Sequence, residues 1–463
     1  MMMMSRWRWQ QMADPVYGIV QFDRYNPHHQ LVLDVVNSRA FQRLRRIKQM
    51  GLAEFVFPGA VHTRFNHSLG ATHLMVKALW VLKQDRRARE LLQAPFDTEV
   101  HPLISHELLL LIGILVHDLG HSALSHTLED VLELHEQGLS HDYYWLWKIL
   151  AEDEELVSIW QRWNMHELPK LLQRFMLGNE TQPRHVLSYL VSSQLDMDRL
   201  DYLLRDSHFM GTRYGEIECE RIISCLDITH KHEGQSVVAI VEDGLPAVEH
   251  YLFGRHQAYK MALHSLDKAS EALLAMTLRR FKYARQQGLT IGEPANELFQ
   301  LMCDGHALSL RSYLRMDDHY LWNAIHSWSL ESEDNLLATL AGRLMSHDLP
   351  KFVDLLAYQQ VPSQQQQADL KQALAAHYAE RHLSLDFGFD QVWVEPKPLY
   401  RIDKEPIWVA TREGRLVELP EVSSVANAAA PDKGSKFLWF VWDTEAKKFL
   451  KQCLQALGTK IDT

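Results

Sequence analysis

The fold class predicted by the sequence is mainly α, with one small β-hairpin and a smaller α+β region at the C-terminal end. Three observations lead there. Apolar residues recur at helical spacing through most of the first 225 residues. One stretch, Ser236 to Glu242, alternates and is rich in β-branched residues. From about Val392 the chain changes to short alternating segments. The 463 residues, 46% apolar and 23% charged, have the balance of a globular protein able to bury a large core. We divide them into an N-terminal segment (1–40), a core (41–285), a helical region (286–390) and the α+β region (391–463).

Taken in order, Phe41, Leu44, Ile47 and Met50 form an apolar stripe that predicts a helix over 41–50, with Gly51 placed to end it. The loop Phe57-Pro58-Gly59 precedes an amphipathic helix from about Arg64 to Gln84. A third helix is expected from Ser105 to His117, helical structure over Trp145–Leu177, and another long helix over Thr181–Ser207. Ser236–Glu242 followed by Glu242-Asp243-Gly244 predicts the hairpin, and Ala247–Phe281 a further helix. Pro362–Gln367 suits an exposed turn or a helix start. Val392–Val394, Leu399–Ile402, Ile407–Ala410 and Phe437–Trp442 are the expected C-terminal strands, with a polar loop near Ala428–Ser435. No internal repeat of fixed period is present.

Composition narrows function. No apolar run reaches the roughly 20 residues that cross a bilayer, and the N-terminus lacks the apolar core of a secretory signal. A cytoplasmic location and no membrane partner are therefore expected. Four scattered cysteines support neither a zinc knuckle nor a disulfide framework. A net charge of −11 does not support a nucleic-acid-binding surface. Histidine, at 26 copies, is unusually frequent, and it clusters.

The strongest local signal is the run Leu115-Val116-His117-Asp118-Leu119-Gly120-His121-Ser122-Ala123-Leu124-Ser125-His126. Adjacent His117 and Asp118 offer an imidazole nitrogen and an anionic oxygen, a mixed set suited to Mn²⁺, Fe²⁺, Mg²⁺ or Zn²⁺. Helical neighbours diverge by about 100°, so other helices must supply the remaining ligands. His67 and Asp198 stand out as candidates. Alone, each has a plainer reading: a capping dipeptide, a satisfied core histidine, a surface carboxylate beside Arg205. The apolar lead-in from Leu108 to Val116 argues instead that the pair is carried inward, where charge must be paired or coordinated. Arg199, Tyr202 and Asp206 fall at i, i+3 and i+7, one helical face beside Asp198.

His67, His117–Asp118 and Asp198, in that order, resemble the signature of the HD-domain superfamily. Phe41-Gln42-Arg43-Leu44-Arg45, Ile47-Lys48-Gln49, Phe57-Pro58-Gly59-Ala60, His62-x-Arg64-Phe65-x-His67, His135-Glu136-Gln137-Gly138 and Asp198-Arg199-Leu200-Asp201-Tyr202 are similar to its dNTP triphosphohydrolase branch, over about residues 14–265. That resemblance implies an HD-type helical core and a divalent metal held by His67, His117, Asp118 and Asp198. It implies cleavage of a dNTP to deoxynucleoside and triphosphate, with the ion at the α-phosphate. His121 and His135 would sit near that phosphate, one of them protonating the departing 5′-oxygen, with Glu129 paired to the catalytic histidine. Arg64 and Arg199 would meet phosphates, Tyr202 the sugar, Asp206 and Gln49 the 3′-hydroxyl, and Tyr259 the face beneath C2′. A homo-oligomer is implied too. The sequence departs from regulated members at Asn37, where they carry an acidic residue that holds an activating nucleotide, and Lys260 replaces a glutamine. Another HD phosphohydrolase substrate, or a non-catalytic nucleotide-binding protein, are the alternatives.

Overall fold

The apolar run before His117 becomes the centre of the molecule. Every residue of the His106–Val116 helix is buried. Its start is fixed by Ser105, whose hydroxyl accepts from the Leu108 amide at 3.2 Å. Burying an uninterrupted Leu/Ile run is worth roughly 1.5–3 kcal/mol per side chain, which commits this segment to the interior. The Arg64–Leu82 helix packs against it, and the Met197–Met210 helix packs against Arg64–Leu82 in turn. These three helices carry His67, His117–Asp118 and Asp198.

The computed structural model describes residues 8–132, 141–179, 181–230, 236–262, 264–304, 308–358, 361–395, 398–401, 404–427 and 435–457. Among the described residues the chain is mainly helical, as the sequence predicts, with four small sheets. Among the described residues no helix is long and apolar enough to cross a membrane.

Several elements differ from expectation. The helix expected over 41–50 is only Arg39–Gln42, continued by a 3-10 turn over Arg43–Arg46. Phe41, Leu44 and Ile47 are nevertheless fully buried. Ile47 turns extended because Lys48 bridges Thr63 and the Arg64 amide donates to the Ile47 carbonyl. Gly51 then takes a positive φ of 55°, where a side chain would also press on the Leu124 carbonyl. The helix expected over 181–207 begins only at Met197, because the Asp196 carboxylate caps it by accepting from the Arg199 amide. Upstream there is only a 3-10 turn, Val186–Leu190. Trp145–Leu177 divides into parts of three helices, and the long helix expected over 247–281 splits into Leu245–Ala262 and Ser265–Gln286.

The hairpin is present, but its turn was misplaced. Ser236–Val241 pairs antiparallel with Leu226–His230 before it, while Glu242–Gly244 is a 3-10 turn leading into a helix. Trp408–Ala410 adds to this hairpin in parallel and Leu416–Glu418 extends the sheet. Lys436–Val441 lies between Lys351–Asp354 and Phe389–Val394 in a second sheet. Residues 399–401 form no strand, and 402 and most of the Ala428–Ser435 loop lie outside the described residues. Ser363 starts the Gln364–Ala379 helix with a capping box to Gln366.

Candidate active site and metal centre

The first turn of Arg64–Leu82 puts His67 inside, the C-terminal cap of the central helix puts His117 beside it, and the capped start of Met197–Met210 brings Asp198 over both. The His67 and His117 Nε2 atoms are 3.2 Å apart. Asp198 Oδ1 lies 3.0 Å from His67 Nε2 and 3.5 Å from His117 Nε2. Asp118 approaches the same two nitrogens, at 3.6 and 3.4 Å.

What makes this a ligand set is the far side of each ring. His67 Nδ1 faces Asp201 Oδ2 at 2.7 Å and His117 Nδ1 faces the Ile114 carbonyl at 2.7 Å. Both acceptors fix the proton on Nδ1 and leave the Nε2 lone pairs converging. Two lone pairs at that distance, with two carboxylates around them, repel unless positive charge lies between. The donors therefore fit a divalent ion with mixed nitrogen and oxygen preference. Asp201 is itself held by Arg205 and by the Tyr17 hydroxyl, and Arg205 reaches on to Asp14. This buried tier explains Gly70: a Cβ there would stand 2.0 Å from Asp201 Oδ1.

The protonation tendencies express the same demand for positive charge. Burial pulls His67 down, but hydrogen bonds to Asp198 and Asp201 outweigh it and lift the imidazole to about 10. Burial alone would raise Asp118, yet the Arg64 guanidinium and the facing imidazoles hold it well below the usual carboxylate range. Asp198 is likewise depressed, burial being overcome by His117 and His67.

A cavity of about 400 Å³ opens onto this centre, and its lining includes Asp118, Asp198, Arg64, Arg199, Tyr202 and Tyr259. Gln49 and Asp206 also reach it. Arg64 joins Asp118 at 2.6 Å and the Ser125 hydroxyl at 2.6 Å. Arg199 Nη1 donates to both the Tyr202 and Tyr259 hydroxyls at 3.2 Å. Asp206 meets His62 at 2.9 Å, and His62 stacks on Phe209. Of the candidates, only His135 lies outside the described residues.

His121 and Glu129 form a second cluster together with His126, to which the sequence alone assigns no role. Glu129, fully buried, faces His121 Nδ1 at 3.1 Å with one oxygen and His126 Nδ1 at 3.1 Å with the other. The His126 side chain is 63% exposed, against 4% for His121. The signal was available: a histidine three residues before the acid, on the same helical face. Asp318 had no such signal. It accepts from the Lys48 amide at 2.9 Å and the Leu124 amide at 2.7 Å, joining the two loops that frame the pocket.

A phosphohydrolase from Bacteroides thetaiotaomicron, known from its crystal structure, superposes at a TM-score of 0.73 and 28% identity, over 94% of this chain and 99% of that one. Deoxynucleoside triphosphate triphosphohydrolase SAMHD1 of Bos taurus is 29% identical over 225 residues, 43% of this chain and 35% of that enzyme. The chain is a relative of the HD-domain phosphohydrolases. This HD phosphohydrolase relative is also 28% identical over 422 residues to the uncharacterized protein YwfO of Bacillus subtilis, covering 90% of the chain and 88% of YwfO. No protein-family model matches it.

Proposed function

We propose that the chain hydrolyses deoxynucleoside triphosphates to deoxynucleoside and inorganic triphosphate, with a divalent ion held by His67, His117, Asp118 and Asp198. The observation that carries this reading is the convergence of those four side chains at one wall of a cavity whose other walls bear guanidinium, phenol and carboxylate groups. The likeness to the bovine triphosphohydrolase supports the choice of substrate. An ion bound there supplies Lewis acidity toward a phosphate oxygen and lowers the pKa of a coordinated water.

The rest is the work of this chain's own groups. Arg64 and Arg199 present planar forks that match phosphate oxygens. Tyr202 and Tyr259, tied together through Arg199, give the sugar a rigid wall. Asp206, steadied by His62, accepts from a 3′-hydroxyl, and Gln49, whose buried amide oxygen has no hydrogen-bond partner among the described residues, offers a second acceptor. His126 protonates the departing 5′-oxygen. Its imidazole reaches the cavity, and the Glu129 carboxylate fixes its orientation. His121, buried against Asp118 and Glu129, orients that carboxylate.

The test incubates the metal-loaded protein with each dNTP and identifies the inorganic product. Free triphosphate is expected; release of pyrophosphate or orthophosphate overturns the reaction, and an HD phosphohydrolase of another specificity takes its place.

A further inference from the structure

Residues 191–196 belong to no helix or strand, yet they carry the cap that starts the Asp198 helix. Backbone groups in such a segment must find partners outside regular structure, and here arginines supply them. The Ser192 carbonyl accepts from Arg184 at 3.0 Å, the Ser193 carbonyl from Arg199 at 2.5 Å and the Gln194 carbonyl from Arg255 at 2.9 Å. The Tyr251 hydroxyl adds a second bond to the Gln194 carbonyl at 2.7 Å.

Gln194 is the unusual residue of this segment. A glutamine side chain mostly reaches solvent, but this residue is 4% exposed. Its amide nitrogen donates to the carbonyls of Arg401 and Glu405, both at 2.9 Å, and its amide oxygen accepts from the Arg401 amide at 2.9 Å. One side chain thus pairs with both main-chain groups of a residue 207 positions away, as a neighbouring strand would. The same two regions are tied again by Arg255, which also donates to the Leu399 carbonyl, and by Arg184, which pairs with Glu405 at 3.0 Å. Leu399, Arg401 and Glu405 all come from the C-terminal region, of which no described residue lines the catalytic cavity.

We infer that Gln194 is a positioning residue for the metal ligand Asp198, with the C-terminal region as its anchor. Asp198 lies four residues further on, in the first turn of the helix that Asp196 caps. A shift of residues 191–196 moves that turn. Metal–ligand bonds keep their lengths to within about 0.2 Å, so a displacement too small to unfold the chain reaches the ion first. The inference rests on the proposed metal set, and it gives the C-terminal region a task at a site it does not touch.

Titration of the full-length protein with Mn²⁺, in competition with a chelating dye, tests it in the wild type, Gln194→Ala and Tyr378→Phe. Tyr378 is the control for lost stability: its hydroxyl donates to the Gly388 carbonyl and accepts from the Trp442 amide, both in the C-terminal half of the chain. Gln194→Ala should weaken Mn²⁺ binding about tenfold, the lower end of what is lost when a group that orients a ligand is removed. Tyr378→Phe should lower the melting temperature and leave Mn²⁺ affinity unchanged. Wild-type affinity in Gln194→Ala, or an equal loss in Tyr378→Phe, overturns the inference. If Gln194→Ala does not fold, Glu405→Ala carries the test, since that half-buried residue contributes the Arg184 pair. Binding about threefold weaker, the scale of a partly exposed ion pair, is then expected, and unchanged binding overturns the inference. A wild type that binds no Mn²⁺ overturns the metal set itself, and the inference with it.

Discussion

Two histidine–carboxylate clusters stand side by side in this molecule, made of the same residue types and built for different charges. In the first, His67 and His117 turn their Nδ1 atoms away, onto Asp201 and a main-chain carbonyl, so that Nε2 atoms converge with Asp118 and Asp198. In the second, His121 and His126 turn their Nδ1 atoms toward each other's partner, the single buried carboxylate of Glu129. The three groups of this second cluster also lie close enough to share an ion. Yet the Nδ1 atom of each ring is spent on a hydrogen bond to Glu129, so the arrangement suits protons. Residue type says little about which charge a cluster holds; the direction of the ring nitrogens says more.

The sharpest way to break this comparison is Asp198→Ala. Loss of the oxygen nearest the His67 Nε2 atom, at 3.0 Å, should abolish stoichiometric divalent-metal binding, measured by metal analysis, together with dNTP turnover. Retention of a full equivalent of metal would show that the first cluster is not the ligand set. His126→Gln comes next. It should lower kcat by about 10²–10⁴-fold, the usual span for a general acid, with metal content unchanged. If metal is lost as well, the two clusters are one.

Asp201→Asn is a milder probe of what holds the first cluster. An amide cannot draw the Nδ1 proton as a carboxylate does, so metal affinity should fall roughly 10–100-fold, read by competition with a chelating dye. The smallest effect concerns the frame beneath both clusters. Burial raises Asp318 to about 6, against an ordinary value near 3.8, its hydrogen bonds from Leu124 and Lys48 offsetting only part of that. The folded state then binds the proton more tightly than the unfolded chain. This contribution therefore favours folding below the unfolded pKa and is lost as pH rises through about 6. Relative to Asp318→Asn, the melting temperature of the wild type should drop between pH 4 and 6.5, and parallel profiles would remove Asp318 from the account.

Some of this was legible along the chain because the information is local. The Leu108–Val116 run announced its own burial, and with it the depth of His117–Asp118. The Arg199, Tyr202, Asp206 spacing announced one face of one helix, and all three side chains do line the cavity. The stripe Phe41, Leu44, Ile47 gave burial correctly and conformation wrongly, since three-residue spacing also fits a 3-10 turn that runs into an extended segment. The hairpin's turn was misplaced because Glu242-Asp243-Gly244 suits a helix entry as well as a reversal.

By itself the sequence determined which segments are too apolar to face water and which residues carry metal-ligating or proton-moving chemistry. Only the tertiary structure decided which ring nitrogen faces which partner, that His126 rather than His121 opens to the cavity, and that Asp318 binds the amides of two distant loops. Burial follows from side-chain composition summed over a few neighbouring residues. Hydrogen-bond direction depends on groups brought together from far apart, and no short stretch of chain records them.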